Sequence, residues 1–270
     1  MNGPSEELLR MEGITKVFPL EGGGTLTACD HITFSVRPGE TFGIVGESGS
    51  GKSTLARILT RLETPTEGRI LYRGEDITHL SGEALRQHRR AVQMVFQDPS
   101  TALDPKMRVR DILCEPLLNF GLIRASETDA KARELLRLVD LPEDFAGRFP
   151  NHMSGGQRQR VAIARAVALA PELIVLDEAT SALDVSVQAR IIDLLRRLQR
   201  ERHIAYLFIC HDLFLANNFC DRILVMQHGK EVETIHDLRE AKSAYARKLT
   251  ASVFTLEEGK NKVLPPELFQ

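Results

Sequence analysis

The chain has 270 residues, of which 43% are hydrophobic and 27% charged, a composition typical of globular proteins. This length allows one sizeable α/β domain with a small subdomain, and the formal net charge of −2 excludes a global bias toward nucleic acid while leaving room for a local basic patch. The cysteines form no close CxxC pair, which argues against a zinc or redox motif and predicts reduced, mostly buried thiols at Cys29, Cys114, Cys210 and Cys220.

Two features argue against membrane insertion by the chain itself. The first ten residues contain Glu6 and Glu7 and no apolar core, so we expect no signal peptide. No run of 18 apolar residues occurs, so no membrane-spanning helix is predicted. If the protein works at a membrane, we expect it to do so through a partner.

The first part of the chain predicts strands followed by a helix. Residues 21–24 form a turn between two predicted strands, and a second turn at 36–40 leads into a short apolar strand at 41–45. After a glycine-rich loop, apolar residues recur at helical spacing and predict one buried face, made of Leu55, Ile58, Leu59 and Leu62. Residues 64–68 end this helix.

The middle of the chain has a different pattern. Residues from about 81 to 150 are richer in charge and in helical periodicity, and Leu135 and Leu138 mark one amphipathic face. We interpret this stretch as a mainly helical insertion into the α/β core. The core resumes near Ser154 with an alanine-rich helix that stops before Pro171.

The last part of the chain alternates strands and helices. A continuous apolar run at 173–176 predicts a parallel strand covered on both faces, and a helix with an apolar face at 191–198 follows it. Two more strands are predicted at 205–210 and 222–226. This alternation favours an α/β fold with a parallel sheet.

The glycine-rich loop has the spacing G-x-x-x-x-G-K-[ST] between a predicted strand and a predicted helix, which is the context that a phosphate-binding loop requires. Backbone N–H groups of such a loop point at phosphate oxygens, and the start of the helix adds positive potential. We expect Lys52 to reach the β- and γ-phosphates of ATP and the Ser53 hydroxyl to bind Mg²⁺. A glycine-rich turn with a surface lysine is the alternative. The loop residues predicted to bind nucleotide are Gly46, Glu47, Ser48, Gly49, Ser50, Gly51, Lys52, Ser53 and Thr54.

Two carboxylates come at the end of the apolar strand at 173–176. Ligands of parallel α/β sheets bind beyond the carboxyl ends of the strands, so Asp177 and Glu178 should face the crevice that contains the phosphate loop. We expect Asp177 to be a partner of Mg²⁺ and Glu178 to orient an attacking water or accept its proton. A solvated acidic loop is the alternative interpretation of these two residues alone.

A second candidate anion site lies at residues 153–160. Ser154 can cap the helix that begins there, and Gly155 and Gly156 expose backbone N–H groups at its start. One chain rarely needs two such sites for one γ-phosphate, so we infer that this site serves the nucleotide of another copy. A plain helix cap is the alternative.

Two more polar side chains follow apolar runs, one a predicted strand at 205–210 and the other the short run at 92–96. The imidazole of His211 could hydrogen-bond a phosphate oxygen or a catalytic water, although a lone histidine at a strand end is more often structural. The amide oxygen of Gln97, after the apolar run at 92–96, could complete a Mg²⁺ shell, but Gln97 alone carries little weight.

Together these segments resemble the nucleotide-binding subunits of ABC transporters. The resemblance covers residues 9 to 251 and rests on the order of its parts: Phe18, the phosphate loop, Gln97, the Ser-Gly-Gly-Gln signature, the strand ending in Asp-Glu, the Ser-Ala-Leu-Asp segment at 181–184, and His211. It implies an ABC-type P-loop NTPase with a RecA-like core, an antiparallel β subdomain and a helical subdomain. The domain is expected at 8–251, its helical subdomain at about 98–160, and a short C-terminal tail at 252–270.

The resemblance implies a head-to-tail pair of such domains with two ATP molecules between them. Phe18 would stack on adenine, and Met153 stands where leucine is usual in the signature. The implied catalytic residues are Lys52, Gln97, Glu178 and His211. The implied Mg²⁺ ligands are Ser53, Gln97 and Asp177. The signature residues implied to contact the opposite subunit's nucleotide are Ser154, Gly155, Gly156 and Gln157, and Asp184 joins the nucleotide-binding set.

A closer resemblance is to importers of oligopeptides, dipeptides and nickel, and it rests on residues 96–105 and 184–189. The chain departs from that pattern at 102–106 and at 243–246. The resemblance implies uptake of a peptide or of nickel or another metal chelate, at the cytoplasmic face of the cell membrane. The implied partners are an identical or homologous ATPase subunit, two transmembrane permeases and, indirectly, a solute-binding protein, with no nucleic acid.

Two alternatives come from other classes of protein. A non-transport ABC ATPase acting on DNA or ribosomes often carries two nucleotide domains or long coiled coils, and the near-zero net charge gives it no support. A small-molecule kinase would use the phosphate loop but would have no reason to carry the signature at 154–157.

Overall fold

The computed structural model describes residues 7–181 and 183–250. The strands are β1 (Leu9–Pro19), β2 (Thr25–Val36), β3 (Thr41–Val45), β4 (Glu67–Tyr72), β5 (Glu75–Asp76), β6 (Val92–Val95), β7 (Leu173–Asp177), β8 (Ala205–Cys210), β9 (Arg222–Gln227) and β10 (Lys230–Ile235). The α-helices are α1 (Lys52–Leu59), α2 (Gly82–Ala91), α3 (Pro99–Ala102), α4 (Val109–Asn119), α5 (Thr128–Leu138), α6 (Gly155–Ala168), α7 (Val185–Arg202) and α8 (Leu213–Phe219). The tail expected at 252–270 lies outside the described residues.

A mixed sheet forms the centre of the molecule, with strand order β10-β9-β3-β8-β7-β6. Strands β9, β3, β8, β7 and β6 run parallel, and β10 pairs with β9 in the antiparallel direction. Every residue of β3, β7 and β8 is buried, as expected for parallel strands covered on both faces. The predicted α/β fold with a parallel sheet is therefore confirmed.

The two faces of this sheet belong to two different cores. Along β7, Ile174 and Leu176 pack into the core shared with the helices α4 to α7. Leu173 and Val175 pack into the opposite core, which contains α1 and the strands β1 and β2. The alternation follows from the two-residue period of a strand, and it places the sheet between a helical layer and an antiparallel β layer.

The antiparallel layer has the strand order β2-β1-β4-β5. The turn predicted at 21–24 joins β1 to β2, and these strands pair from Leu9 opposite Val36 to Pro19 opposite Thr25. The rings of Phe34 on β2 and Phe42 on β3 stack with centroids 5.0 Å apart, so the small sheet packs directly on the large one. The antiparallel β layer that the resemblance implied is present.

Two details of the sequence prediction are wrong. Helix α1 ends at Leu59 because Arg61 adopts a left-handed conformation with φ of 58°, and Leu62, expected on the buried face, is 52% exposed. The helical insertion expected from about 81 to 150 is interrupted by β6, which pairs with β7 in the main sheet. Four residues are too few for a strand to show its own periodicity between charged neighbours.

All four cysteines are free and buried, as expected. Burial raises the pKa of the Cys114 thiol to about 11 and that of the Cys29 thiol to about 12. The pKa values of Cys210 and Cys220 are also raised by burial, because a thiolate loses hydration inside the protein.

One buried ion pair ties three strands together. The guanidinium of Arg222 at the start of β9 donates to both carboxylate oxygens of Glu40, at 2.6 and 3.0 Å, and to the backbone oxygen of Ser35 on β2. The same guanidinium lies 4.9 Å from the ring centroid of Phe42 on β3. The side chain of Glu40 is 7% exposed, so the carboxylate depends on Arg222 for its charge balance.

We expect Arg222→Ala to lower the free energy of unfolding by about 3–5 kcal/mol, because it leaves the Glu40 carboxylate buried and unpaired. Urea unfolding followed by circular dichroism measures this loss. Arg239→Ala is the matched control, since Arg239 also pairs with a carboxylate but its side chain is 80% exposed, and we expect little change there. Equal stability of the two variants would contradict the assigned role of Arg222.

Candidate functional site

The predicted site residues meet at one edge of the mixed sheet. Strands β3, β8, β7 and β6 are neighbours and run parallel, so their carboxyl ends lie along the same edge. Residues 46–51 follow β3, Glu178 follows β7, His211 follows β8 and Gln97 comes shortly after β6. The topology therefore brings together residues from four separate parts of the chain, at the edge where ligands bind in such sheets.

Lys52 folds back over the loop that precedes it. Its ammonium donates to the backbone oxygens of Gly46 and Glu47, each at 2.8 Å, and to the Ser50 hydroxyl at 3.2 Å. Burial lowers the pKa of Lys52, while the nearby charges of Glu178 and other acidic groups oppose that shift. The positive charge is thus held at the centre of the loop, where a phosphate could compete for it with neutral carbonyls.

Gly51 at the start of α1 is required by close packing as well as by its conformation. Its φ is 98°, a left-handed value that disfavours side chains, and a Cβ atom there would lie 2.2 Å from the backbone oxygen of Ala28 on β2. The phosphate loop is consequently in direct contact with the antiparallel layer. A glycine at this position serves the packing of two layers in addition to leaving room for a ligand.

The two carboxylates after β7 have different neighbours. Asp177 accepts a hydrogen bond from the Ser53 hydroxyl at 3.1 Å, and burial raises the pKa of Asp177. Glu178 has a left-handed φ of 47°, and its Oε2 accepts a hydrogen bond from the Gln97 amide at 2.9 Å. The Nδ1 atom of His211 lies 3.7 Å from that same oxygen.

These contacts form two adjoining clusters, one of Ser53 with Asp177 and one of Glu178 with Gln97 and His211. The side chain of Glu178 is 21% exposed and that of His211 is 59% exposed, so the second cluster is open to solvent. A carboxylate held by an amide and an imidazole in this way is suited to orient a water molecule and to take its proton. A solvated acidic loop, the alternative raised by the sequence, does not describe these contacts.

The donor set beside the phosphate loop fits a magnesium ion. The Ser53 hydroxyl, an Asp177 carboxylate oxygen and the amide oxygen of Gln97 are hard oxygen ligands of the kind that Mg²⁺ prefers. Among residues 7–181 and 183–250, no group of three or more His, Cys, Asp or Glu side chains could hold a metal alone. This composition suits an ion that takes its remaining ligands from phosphates and water.

The signature segment begins α6 with a reciprocal cap. The backbone N–H of Gln157 donates to the Ser154 hydroxyl oxygen at 3.3 Å, and the backbone N–H of Ser154 donates to the side-chain oxygen of Gln157 at 2.9 Å. The plain helix cap considered from the sequence is therefore real. Between described residues, no hydrogen bond joins the segment at 154–157 to the loop at 46–54, so the two candidate anion sites are separate features of one chain.

Phe18 and Asp184 occupy more peripheral positions. Phe18 lies near the end of β1, and the Lys16 ammonium is 4.9 Å from the centroid of its ring. Asp184 caps α7 by accepting from the Val187 N–H at 2.9 Å, and hydrogen bonds from Ser186 and Val187 lower its pKa. In the structure, Asp184 is the N-cap residue of α7. Residue 182, two positions earlier, lies outside the described residues.

One contact to the phosphate loop was not predicted from the sequence. The N–H of Glu47 donates to the hydroxyl oxygen of Tyr245 at 3.4 Å. Tyr245 lies about 200 residues away in sequence and was considered only as part of a subfamily pattern at 243–246. An isolated tyrosine near the end of a chain carries no local signal of such a contact.

Comparison with known proteins agrees with this arrangement. The family model described as ABC transporter matches residues 29–181. The chain is 48% identical over 235 residues to the oligopeptide transport ATP-binding protein AppF of Bacillus subtilis, covering 84% of this chain and 71% of that protein. It is 44% identical over 231 residues to the dipeptide transport ATP-binding protein DppF of Lactococcus lactis, covering 84% of this chain and 74% of the relative.

A solved structure shows the same fold. The dimeric ATP-binding cassette MJ0796, in a post-hydrolysis state with ADP and Pi, aligns with a TM-score of 0.76 at 32% identity. The alignment covers 84% of this chain and 98% of that one. Within the part of the present chain that the structure describes, no helix is both long and apolar enough to cross a membrane.

We expect Glu178→Gln to lower steady-state ATP hydrolysis by about 10²- to 10⁴-fold, because a neutral amide cannot accept the proton of the attacking water. Nucleotide affinity, measured by equilibrium binding of a fluorescent ATP analogue, should stay close to that of the unchanged chain. Glu231→Gln on β10 is the control for removing one exposed carboxylate elsewhere and should hydrolyse normally. An unchanged rate in Glu178→Gln would rule out the role assigned to this residue.

Proposed function

The chain belongs to the ABC transporter family of ATP-binding subunits, which hydrolyse ATP to drive transport, and from this premise we propose that it energises the uptake of peptides. The observation that carries this proposal is the identity of 42–48% to subunits whose names refer to oligopeptide, dipeptide or peptide transport. Nickel and other metal chelates, which the sequence also allowed, have no comparable support among these relatives. The relatives are named for transport, so they also give no support to an ATPase acting on DNA or ribosomes.

The chemistry is divided between the two side-chain clusters at the sheet edge. Lys52 would leave the carbonyls of its own loop and bind the β- and γ-phosphates, and Ser53, Asp177 and Gln97 would hold a Mg²⁺ ion beside them. Bound Mg²⁺ supplies charge neutralisation for the transferred phosphoryl group. The ring of Phe18 stacks on the adenine, in the place where its face now meets the Lys16 ammonium.

Glu178 acts on the water that attacks the γ-phosphate. Its carboxylate accepts the proton of that water, and the hydrogen bond from Gln97 keeps the carboxylate pointing toward the crevice. The side chain of His211 is mostly exposed, and its Nδ1 atom lies 3.7 Å from the same oxygen. His211 contacts the γ-phosphate and so links the phosphate to the position of Glu178. The mechanism uses each catalytic residue that the sequence predicted.

The complete site is formed by two subunits placed head to tail. The signature at Ser154–Gln157 is separate from the phosphate loop of its own chain, and its exposed cap offers N–H groups and a hydroxyl to an anion from outside. The solved relative MJ0796 is dimeric. Two ATP molecules therefore draw two domains together, and hydrolysis removes the shared γ-phosphate contact so that the dimer opens.

The permease partners dock in a groove of about 600 Å³ between β6 and the helices α2, α4 and α6. Its wall includes the exposed Leu62 and Phe96, together with Phe120 under the guanidinium of Arg86 at 4.5 Å. Arg89 adds positive charge at the same groove, whereas Arg165 is paired with Glu115 on its wall at 3.2 Å. A permease helix with apolar and acidic side chains fits this surface, and Phe96 is the neighbour of Gln97, so nucleotide-dependent movement can reach the partner. This docking keeps the chain peripheral at the cytoplasmic face of the membrane.

Mixing two inactive variants tests whether the site is shared between subunits. Lys52→Ala has a defective phosphate loop and an intact signature, whereas Ser154→Arg has the reverse. Each variant alone should be inactive, and an equimolar mixture should recover ATP hydrolysis because the mixed dimer contains one complete site. A mixture as inactive as its components would show that the signature does not act on the nucleotide of a second subunit.

Replacing an exposed leucine in the groove tests permease docking and the solute together. Leu62→Asp should retain the ATPase rate of the isolated protein, because Leu62 lies outside both side-chain clusters, but should fail to support uptake of labelled dipeptides and oligopeptides in cells that lack the native copy. A charge placed in the apolar part of an interface typically weakens binding by several kcal/mol.

The matched control for this experiment is Leu122→Asp, since Leu122 is 41% exposed but does not line the groove. We expect it to support normal uptake. Normal uptake by Leu62→Asp would contradict docking at the groove, and absence of peptide uptake with the unchanged chain would contradict the proposed solute.

A further inference from the structure

The two consecutive glycines of the signature have different surroundings. A Cβ atom on Gly155 would lie 3.7 Å from Leu183 Cδ2, which is ordinary van der Waals contact. A Cβ atom on Gly156 would lie 2.5 Å from Val187 Cγ1, closer than real side chains approach. Only Gly156 is therefore excluded from carrying a side chain by its own polypeptide, whereas Gly155 faces no such restriction within the chain.

Val187 cannot easily move away from Gly156. It lies in the first turn of α7, and its N–H is held by the Asp184 cap, with the side-chain oxygen at 2.9 Å and the backbone oxygen at 3.0 Å. A valine in a helix has one strongly preferred rotamer, so rotation about χ1 does not clear the contact without cost. The beginning of α7 thus packs rigidly on the beginning of α6.

A continuous set of contacts connects this packing to Glu178. The Ser181 hydroxyl donates to the backbone oxygen of Glu178 at 2.9 Å, and the Gln188 side chain on α7 donates to the backbone oxygen of Thr180 at 2.8 Å. Thr180 and Ser181 are therefore linked both to Glu178 and to the first turn of α7. These contacts form a connected path of packed and hydrogen-bonded residues from Glu178 to Val187 and the start of the signature helix.

We propose that Val187 is a positioning residue whose packing on Gly156 makes the signature and Glu178 of one subunit move as a unit. This inference rests on the proposed head-to-tail dimer. There, Glu178 serves the nucleotide of its own subunit, while Gly155 and Gly156 lie at the nucleotide of the opposite subunit. The Val187–Gly156 contact then couples the two ATP sites of the dimer through a single polypeptide.

A rescue experiment separates this role from a requirement for space around the nucleotide. In the full chain, Gly156→Ala places a methyl group against Val187, and Val187→Ala removes the group that it meets. We expect Gly156→Ala to lower kcat at least about tenfold, and the double variant to recover to within about threefold of Val187→Ala alone. Nucleotide binding to the isolated subunit should be unchanged in all three.

Gly155→Ala is the matched control, because its methyl group has room within the chain. If it lowers kcat, it does so by crowding the nucleotide of the partner, and Val187→Ala should not rescue it. The proposal is overturned if the double variant Gly156→Ala/Val187→Ala is as defective as Gly156→Ala, or if Val187→Ala rescues both glycine variants equally.

Val187→Ala alone provides a second test if Gly156→Ala fails to fold. We expect its Hill coefficient for ATP hydrolysis to fall below that of the unchanged chain, while KM changes little, because the coupling through Val187 is lost but each site stays intact. Val187→Thr keeps the branched shape and should retain the original Hill coefficient. A Hill coefficient in Val187→Ala equal to that of the unchanged chain overturns the proposal.

Two further measurements distinguish the dimeric ATPase from the role of Val187. If the unchanged chain does not hydrolyse ATP and the Glu178→Gln variant does not form a dimer when ATP is added, then the proposed dimeric ATPase is wrong. If the unchanged chain hydrolyses ATP, Glu178→Gln forms the dimer and the rescue is absent, then only the role of Val187 is wrong.

Discussion

The parallel alignment of β3, β8, β7 and β6 is the constraint on which the site depends. No single strand is followed by all of the site residues. Because the four strands run in the same direction, the chain segments that follow them lie at one edge of the sheet. Lys52, Gln97, Glu178 and His211 are in this way brought together although they are distant in sequence. The buried faces of β7 and β8, which pack into two cores, keep the edge in register. Stability and chemistry are therefore supplied by the same strands.

Much of the fold and of the candidate site could be predicted from the sequence, because the signals for its strands and for the glycine-rich loop are local. The strand at 205–210 and the glycine-rich loop are each specified by adjacent residues, and the sheet-edge rule then brings Asp177 to the Ser53 hydroxyl. Two features were missed or misjudged, one because of the backbone conformation of a single residue and one because of a contact distant in sequence. Leu62 fits a helical pattern, but the left-handed Arg61 ends the helix before it. The contact of Tyr245 with Glu47 exists only after the chain has folded.

The charged groups of the site, the Lys52 ammonium and the Glu178 carboxylate, each have partners within the protein. The Lys52 ammonium is satisfied by neutral carbonyls, and Glu178 is held by an amide and an imidazole instead of by a permanent salt bridge with lysine or arginine. Neutral partners are exchanged for phosphate at lower cost than charged ones. Lys52 and Glu178 therefore lie near each other without forming a direct ion pair that a ligand would have to break.

The burial of all four cysteines determines how their thiols react with labelling reagents and oxidants. Alkylating agents and oxidants react with the thiolate, and at neutral pH the raised pKa values of Cys29, Cys114, Cys210 and Cys220 leave almost none of it. The thiols of the folded subunit should therefore react slowly with maleimides and with peroxide. A single cysteine introduced at an exposed position can then carry a spectroscopic label, with the native thiols left in place.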